Sequence, residues 1–292
     1  MKPLKLLALI LLVVLVLFWS VKTAVFKRFS SAAKSAHTAE DSKDALTEKV
    51  RSFSLSGFSE TGEKTWELEG KSADILAQVI NLFDINADSY GEDVKVNLKA
   101  DEGVFNRTTN NIRLKKNVVI TTDEGTILTT ELLDWDAKEE LVSTEEYVFI
   151  QRKDMDIEGT GASAKPDLKV AQLDKEVKVD VKDPPAIITC DGPLEVDYNH
   201  NIAYFYNNVR LVDKETIIDT DKATAYFEPK EKKLVKVVCD GNVKITRGKD
   251  ITYADKMTYL PEEGRVILQG RPKIFIESGD ELIKEHKEKQ NE

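Results

Sequence analysis

The chain has 292 residues, of which 41% are hydrophobic and 32% are charged, with 42 basic and 52 acidic side chains. This length accommodates more than one domain, each with a core of its own. The first 34 residues carry six basic side chains and no acidic one, so the other residues carry 36 basic and 52 acidic groups. Such an acidic body argues against nucleic-acid binding, which needs a basic surface.

The chain begins with a long apolar segment. Residues 6–19 are continuously apolar, and the segment extends, with two polar interruptions, to Phe26. Because about 20 apolar residues span a bilayer, we predict a transmembrane anchor over residues 1–26. A cleaved signal peptide is the alternative, with Lys2 and Lys5 as its basic region, although no small-x-small cleavage site follows. Basic residues on both sides leave the orientation of the segment open.

Beyond the anchor the pattern changes to short strands. Residues 27–49 are rich in Ser, Ala and charge without hydrophobic periodicity, and we predict a tether there. Apolar and polar residues then alternate, and turn signals recur about every 8–12 residues, which is typical of an all-β fold. Asp183-Pro184-Pro185 interrupts the strands and predicts a domain boundary, because proline ends strand pairing. The predicted division is two β modules, 50–183 and 184–279, and a charged tail, 280–292.

A short phrase occurs three times along these strands, and each copy opens an alternating run. It reads Asn117-Val118-Val119-Ile120, Asn208-Val209-Arg210-Leu211 and Asn242-Val243-Lys244-Ile245. Repetition of this kind indicates one β unit stacked on itself. The two cysteines, Cys190 and Cys239, lie in matching Cys-Asp-Gly turns. A disulfide between them and a pair of buried free thiols are both compatible with the sequence.

The chain offers little for catalysis or for metal binding. Its three histidines, His37, His200 and His286, all fall in segments that we predict to be solvated, so a nucleophile–histidine pair is poorly supported. The segment Gly57–Thr65 lacks the lysine that a phosphate-binding loop places directly after its second glycine. A calcium loop that began at Asp84 would need Gly and Glu at its sixth and twelfth positions, where this chain has Ser89 and Lys95. We therefore predict that the protein is not an enzyme and has no cofactor or metal site.

The order of the remaining segments resembles a known family. An N-terminal anchor is followed by Phe58–Leu68, Asp101–Phe105, Asn117–Ile120, Glu124–Trp135 and Ile157–Gly161. This order resembles LptC, the membrane-anchored component of lipopolysaccharide export in Gram-negative bacteria, over most of residues 1–182.

The rest of the chain, about Ile187–Glu277, resembles LptA, the soluble partner of LptC, which is an OstA-like domain. The matching pieces include Cys190–Leu194, Cys239–Val243 and Leu268–Pro272. Many LptC proteins have a single module, so the second module is a departure from the family pattern. The sequence leaves open whether that module replaces LptA or only docks it.

The resemblance implies two tandem OstA-like β-jellyroll modules with a V-shaped apolar interior that shelters the acyl chains of lipopolysaccharide. The implied partners are lipopolysaccharide, an inner-membrane ABC transporter and an LptA-like periplasmic bridge protein that joins by edge-to-edge β pairing. The implied location is the inner membrane, with a single span and the bulk of the chain in the periplasm. The implied function is to receive lipopolysaccharide from the transporter and to pass it along the groove toward the outer membrane.

Apolar positions on one face of each strand are the residues expected to line this lipid groove. They are Trp66, Leu68, Phe83, Ile85, Val94, Val96, Leu98, Leu114, Val118, Ile120, Val196, Phe205, Val209, Leu211, Val243 and Ile245. The same positions also suit an ordinary packed core. A membrane-tethered structural β scaffold that binds only proteins is therefore the alternative function.

Overall fold

A computed structural model describes residues 48–58, 64–90, 95–165, 168–183, 185–229 and 234–276. The predicted anchor, nearly all of the predicted tether and the charged tail lie outside these residues. Across the described ranges, no helix is long and apolar enough to cross a membrane. Seventeen β-strands make up the regular structure of the described residues. The predicted all-β class is therefore confirmed.

The strands follow one another along the chain with short turns between them. The first nine are β1 Glu48–Phe58, β2 Lys64–Ile75, β3 Val79–Tyr90, β4 Lys95–Asn106, β5 Ile112–Thr122, β6 Ile127–Asp136, β7 Leu141–Gln151, β8 Met155–Lys165 and β9 Val170–Lys182. The others are β10 Pro185–Cys190, β11 Leu194–Asp197, β12 Ile202–Asp213, β13 Thr216–Phe227, β14 Leu234–Arg247, β15 Asp250–Leu260, β16 Arg265–Gln269 and β17 Lys273–Phe275.

All seventeen strands belong to one antiparallel sheet in which neighbours in the chain are neighbours in space. Strands β10 and β11 share one place between β9 and β12. Strands β16 and β17 likewise share the edge of β15. The segment that the sequence marks as a boundary follows β9, and Lys182 before it pairs with Pro185. The sheet therefore continues from β9 to β10.

The strands form because their apolar residues recur with period two. In β4, Val96 and Leu98 are buried, whereas Lys95 is exposed and Asn97 is half-buried. Successive side chains of a strand point to opposite faces, so this alternation gives the sheet one apolar face and one polar face. Antiparallel meanders with this pattern pack the apolar face and leave the other in water.

Most strands are interrupted near their middle by an irregularity, and these irregularities run across the sheet as a line that we call the fold line. Register shifts occur between Lys99 and Glu102, Lys115 and Val118, Thr129 and Asp134, Thr144 and Tyr147, Glu158 and Thr160, Tyr206 and Val209, Asp219 and Lys222, and Asp240 and Val243. Strand β10 ends and β11 begins at the same level. Bulges of this kind bend a strand and increase its twist.

The three Asn-Val phrases lie on the fold line. In each copy the asparagine has a left-handed backbone, and the valine that follows is at most 1% exposed. Each asparagine amide also donates a hydrogen bond to an aspartate on the preceding strand or turn. The bonds run from Asn117 to Asp101 (2.7 Å), from Asn208 to Asp191 (2.5 Å) and from Asn242 to Asp221 (2.9 Å). The repeated phrase therefore specifies a bulge and the cross-strand bond that holds it.

The sheet covers its own apolar face. Val118, Val209 and Val243 are almost completely buried, yet the described residues contain no α-helix and no second sheet to cover them. Burial must then come from the sheet bending along the fold line, so that the two halves of each strand face each other. One core cluster extends from Ala73 in β2 to Met257 in β15. This arrangement is consistent with the predicted β-jellyroll.

The fold line gives a test of the Asn-Val phrase. Replacing Asn117 with Ala removes the bond to Asp101 and places a Cβ-bearing residue without a local polar partner at φ 50°. We expect the free energy of unfolding to fall by about 1–2 kcal/mol, measured by urea denaturation.

The matched control is Asn117→Gly, which loses the same hydrogen bond but accepts the left-handed backbone without strain. It should cost less than the alanine variant. Equal losses for the two variants would show that the backbone conformation of Asn117 does not contribute.

Candidate functional site: the apolar interior

A cavity lies inside the folded sheet, near the place where the two predicted modules meet. Strands β6 to β9 and β11 form its wall, and its volume is about 80 Å³. Residues from both sides of the fold line take part, such as Leu128 and Leu133 of β6. The main apolar residues of the wall are Leu128, Leu133, Val142, Val148, Ile150, Ile157, Leu173, Leu194 and Val196. The two facing halves of the sheet thus enclose this space.

The wall of the cavity has no acidic, basic or histidine side chain. Its polar groups are hydroxyls and one amide. Two of them bond to the protein itself: Gln172 donates to the Asp174 carboxylate at 2.7 Å, and the Thr130 hydroxyl donates to the Leu132 carbonyl at 3.4 Å. An apolar ligand can therefore enter without burying an unpaired charge or breaking strong hydrogen bonds. Chemically, this interior suits hydrocarbon.

Charged residues lie at the rim of the folded sheet, where the strands end in turns. In the turn after β7, the Arg152 side chain is 10% exposed, and its Nε lies 3.9 Å from the Asp154 carboxylate. Burial lowers the pKa of Arg152, while the charges of Asp154, Glu124 and Tyr198 act in the opposite direction. Tyr198 also belongs to the cavity wall. Polar and charged groups therefore lie beside the apolar interior at the rim of the sheet.

The predicted groove residues lie mostly on the inner face of the sheet. Ile85, Val96, Leu98, Val118, Ile120, Phe205, Val209 and Val243 are buried in the core cluster, and Leu68, Leu114, Val196, Leu211 and Ile245 are partly buried against it. Val94 and the side chain of Trp66 lie outside the described part of the structure. Whether any of these positions contacts lipid stays a prediction.

The expectation that Phe83 shares a face with Ile85 is wrong. Asp84, between them, has a left-handed backbone with φ 51°, which breaks the alternation of β3. Leu82 and Ile85 are buried as a result, whereas Phe83 is not part of the core cluster. A period-two pattern assigns faces correctly only up to the first irregularity.

Most of the cavity wall lies outside the predicted groove. Of the predicted groove residues, only Val196 belongs to its wall. Most of the other apolar wall residues lie in β6 to β9. Ile157 and Leu173, for example, stand between polar neighbours as clearly as the predicted residues do. The alternation was therefore available as a signal, but nothing in it marks where the two halves of the sheet leave a space.

Both cysteines are buried as free thiols on the inner face. Burial raises the pKa of Cys239 to about 12, and burial also raises the pKa of Cys190, against hydrogen bonds from the backbone of Gly192 and Tyr206. Of the two alternatives that the sequence left open, the structure shows the free thiols.

This state of the cysteines predicts slow thiol chemistry. A raised pKa keeps a thiol protonated at pH 8, and the thiolate is the reactive form. In the folded protein, Ellman's reagent should therefore modify Cys190 and Cys239 slowly, and both should react at once in denaturant without added reductant. If the denatured chain released no thiol, the two cysteines would form a disulfide.

The fold and its interior define the class of protein: a β-jellyroll-like sheet folded around a continuous apolar core. A family model described as "Lipopolysaccharide-assembly, LptC-related" matches residues 7–182. This match covers more than half of the chain, and the chain belongs to this family. A second model, "LptA/(LptD N-terminal domain) LPS transport protein", matches residues 192–286. No curated protein matches the chain.

These two matches confirm the resemblance to LptC with a C-terminal LptA-like domain, and they tie the chain to lipopolysaccharide transport. The first match ends at the last residue of β9, and the second begins within the break between β10 and β11. The domain limits given above stay a prediction, since the sheet itself runs through this region without a gap.

Proposed function

We propose that this protein is an inner-membrane-anchored component of lipopolysaccharide export. It receives lipopolysaccharide from an ABC transporter and passes it along the folded sheet toward the outer membrane, with the bulk of the chain in the periplasm. The observation that carries the proposal is the apolar interior, which is continuous from Ala73 in the first module to Met257 in the second.

Energetics explain why continuity matters for such a task. Each CH₂ group of an acyl chain that enters water costs about 0.8 kcal/mol, so one exposed chain costs several kcal/mol. A gap between the two modules would raise this barrier at the gap. Strands β10 and β11 close this gap. They lie between β9 of the first module and β12 of the second, and both of those strands form backbone hydrogen bonds to them.

The interior must widen for an acyl chain to pass. The cavity of about 80 Å³ is smaller than an engineered cavity of about 150 Å³ that admits benzene. Widening requires the two halves of the sheet to separate, and the fold line is where they join. Separation there leaves the strand ladders on either side intact, so its cost is the loss of contacts between facing side chains and the exposure of apolar surface until the acyl chain fills the space.

A photo-crosslinking amino acid in the full-length membrane protein tests the proposal. We expect lipopolysaccharide adducts when it replaces Leu173 in the cavity, or Ile85 or Phe205 in the predicted groove. The matched control is Phe149, an aromatic residue that faces away from the core, since its neighbours Val148 and Ile150 are buried. No lipid adduct is expected there.

The alternative function is a membrane-tethered scaffold that binds only proteins, and the same experiment separates the two. Protein adducts without lipid adducts at all three interior positions, in variants that resist proteolysis like the native chain, would support the scaffold and overturn the proposal.

The two ends of the sheet are the proposed docking edges. Strand β1 forms one end, and β16 and β17 form the other; among the described residues no further strand covers either end. Both ends carry exposed apolar side chains: Phe58 of β1 is 53% exposed, and Ile274 and Phe275 of β17 are 60% and 57% exposed. Uncovered edges of this kind accept a further strand from a partner. The C-terminal edge is proposed to pair with the LptA-like bridge protein.

Lysine substitutions on one edge at a time test whether the C-terminal edge is the one that pairs with the LptA-like protein. The double variant Ile274→Lys, Phe275→Lys should weaken capture of the LptA-like partner at least tenfold in pull-down titrations, because lysines on an edge oppose strand addition. Phe58→Lys on β1 is the matched control and should leave that affinity unchanged. Equal loss in both variants, or loss only in the control, would contradict the assignment of the C-terminal edge.

A further inference from the structure

The outer face of the second module carries an aromatic and cationic surface, which we call the outer patch. It consists of Tyr204 and Tyr206 of β12, Lys222 and Tyr226 of β13, and Lys236 of β14. These side chains face away from the interior, because the residues between them, such as Ala203, Phe205 and Ala223, are buried in the core. The patch therefore belongs to the water-facing side of the sheet and has no part in the apolar groove.

The rings and ammonium groups of the outer patch are arranged against one another. Tyr204 and Tyr206 are stacked with ring centroids 6.2 Å apart. The Lys222 Nζ lies 5.0 Å from the centroid of Tyr204 and 4.5 Å from that of Tyr206, and the Lys236 Nζ lies 3.9 Å from the centroid of Tyr226. Attraction between cation and ring therefore holds both lysines in place.

Lys222 and Lys236 differ from the ion-paired lysines of this chain, because aromatic rings and not carboxylates lie against their ammonium groups. On the first module, by contrast, Lys178 pairs with Glu158 at 2.9 Å and Lys116 pairs with Glu102 at 2.6 Å. Within the described ranges, neither Lys222 nor Lys236 has a carboxylate within 4 Å. In a chain with an excess of acidic groups, two positive charges held on aromatic rings are available to an anion.

Three acidic groups near the outer patch each have a partner other than Lys222 and Lys236. Glu195 accepts a hydrogen bond from the Tyr206 hydroxyl at 3.3 Å. Asp240 pairs with Lys256 at 3.3 Å, and Asp197 pairs with His200 at 2.7 Å. Burial raises the pKa of Tyr204, so its hydroxyl remains protonated at neutral pH. The patch thus offers two ammonium groups and tyrosine hydroxyls beside flat ring faces.

The position of the outer patch connects it to the mouth of the groove. Tyr226 pairs with Ile202, the first residue of β12, and with Lys236 near the start of β14. The patch therefore begins directly at the rim that carries the turn before β12. A molecule whose acyl chains lie inside the sheet has its hydrophilic part at this rim, within reach of the outer wall.

From this arrangement we propose that the outer patch binds the phosphorylated saccharide of lipopolysaccharide. The apolar C–H face of a sugar ring packs on a tyrosine ring, the sugar hydroxyls meet the tyrosine hydroxyls, and the phosphates meet Lys222 and Lys236. A protein partner fits less well, because lysine is depleted from the centre of protein interfaces. This inference rests on the proposed function and adds to it a contact for the hydrophilic part of the substrate.

The test uses the full-length protein and lipopolysaccharide saccharide that lacks its acyl chains and keeps its phosphates. With a fluorescent label on the saccharide, anisotropy gives its dissociation constant. The double variant Lys222→Gln, Lys236→Gln should weaken binding at least tenfold at an unchanged melting temperature. Lys214→Gln, at an exposed turn, is the matched control and should bind as the native protein does. Removal of the phosphates from the saccharide with a phosphatase should weaken its binding to the native protein by the same factor as the double substitution does.

A photo-crosslinker in place of Tyr204 should also yield a saccharide adduct. Equal binding by the double variant and the native protein, equal binding of the phosphate-free saccharide, or protein adducts alone at position 204 would each overturn the inference. If saccharide fails to bind while intact lipopolysaccharide still crosslinks at Leu173, only this inference fails. If both fail, the proposed function fails with it.

Discussion

The structure depends on the fold line, where bulges let a single sheet bend and cover its own apolar face. Without that bend, the inner face would lie in water, because no other element of the described structure packs against it. The bend is made locally at each strand, by residues with left-handed backbone and by amide–carboxylate bonds such as those of Asn208 and Asn242. Gly241 shows how tight this line is: an added Cβ there would collide with the Asp221 carboxylate. The core is therefore a consequence of where the strands are irregular as much as of where they are apolar.

The alternation of apolar and polar residues was sufficient to predict the class of fold. Wherever the backbone of a strand is regular, residues two apart point to the same face, so this alternation gives one apolar and one polar face. Val96 and Leu98 illustrate this, and so do the valines of the Asn-Val phrases. The failures arise at irregularities. A single left-handed residue, Asp84, moves Phe83 off the core, and no residue type marks that position beforehand. The cavity could not be predicted either, since it depends on how closely two distant halves of a strand approach after the bend.

The two faces of the sheet divide the chemistry of an amphiphile between them. The cavity wall has no acidic, basic or histidine side chain, whereas the outer wall of the second module presents lysines fixed over tyrosine rings. In a curved single layer only one backbone thickness separates these environments. A molecule with hydrocarbon at one end and phosphate at the other could then be held at both ends by the same few strands, with the rim turns between them.

The joint at β10 and β11 has a consequence for assembly. A conduit made of separate proteins must form each junction by collision, so its continuity depends on how much of each subunit is present. In the conduit proposed for this protein, the first junction lies within one polypeptide. Only two residues of sequence separate β9 from β10, so the second module always meets the first at a high effective concentration. Backbone hydrogen bonds from β9 and β12 to β10 and β11 then hold the two modules together at any expression level. The stoichiometry of the two modules is fixed at synthesis, and dilution acts only on contacts made at the outer ends of the sheet.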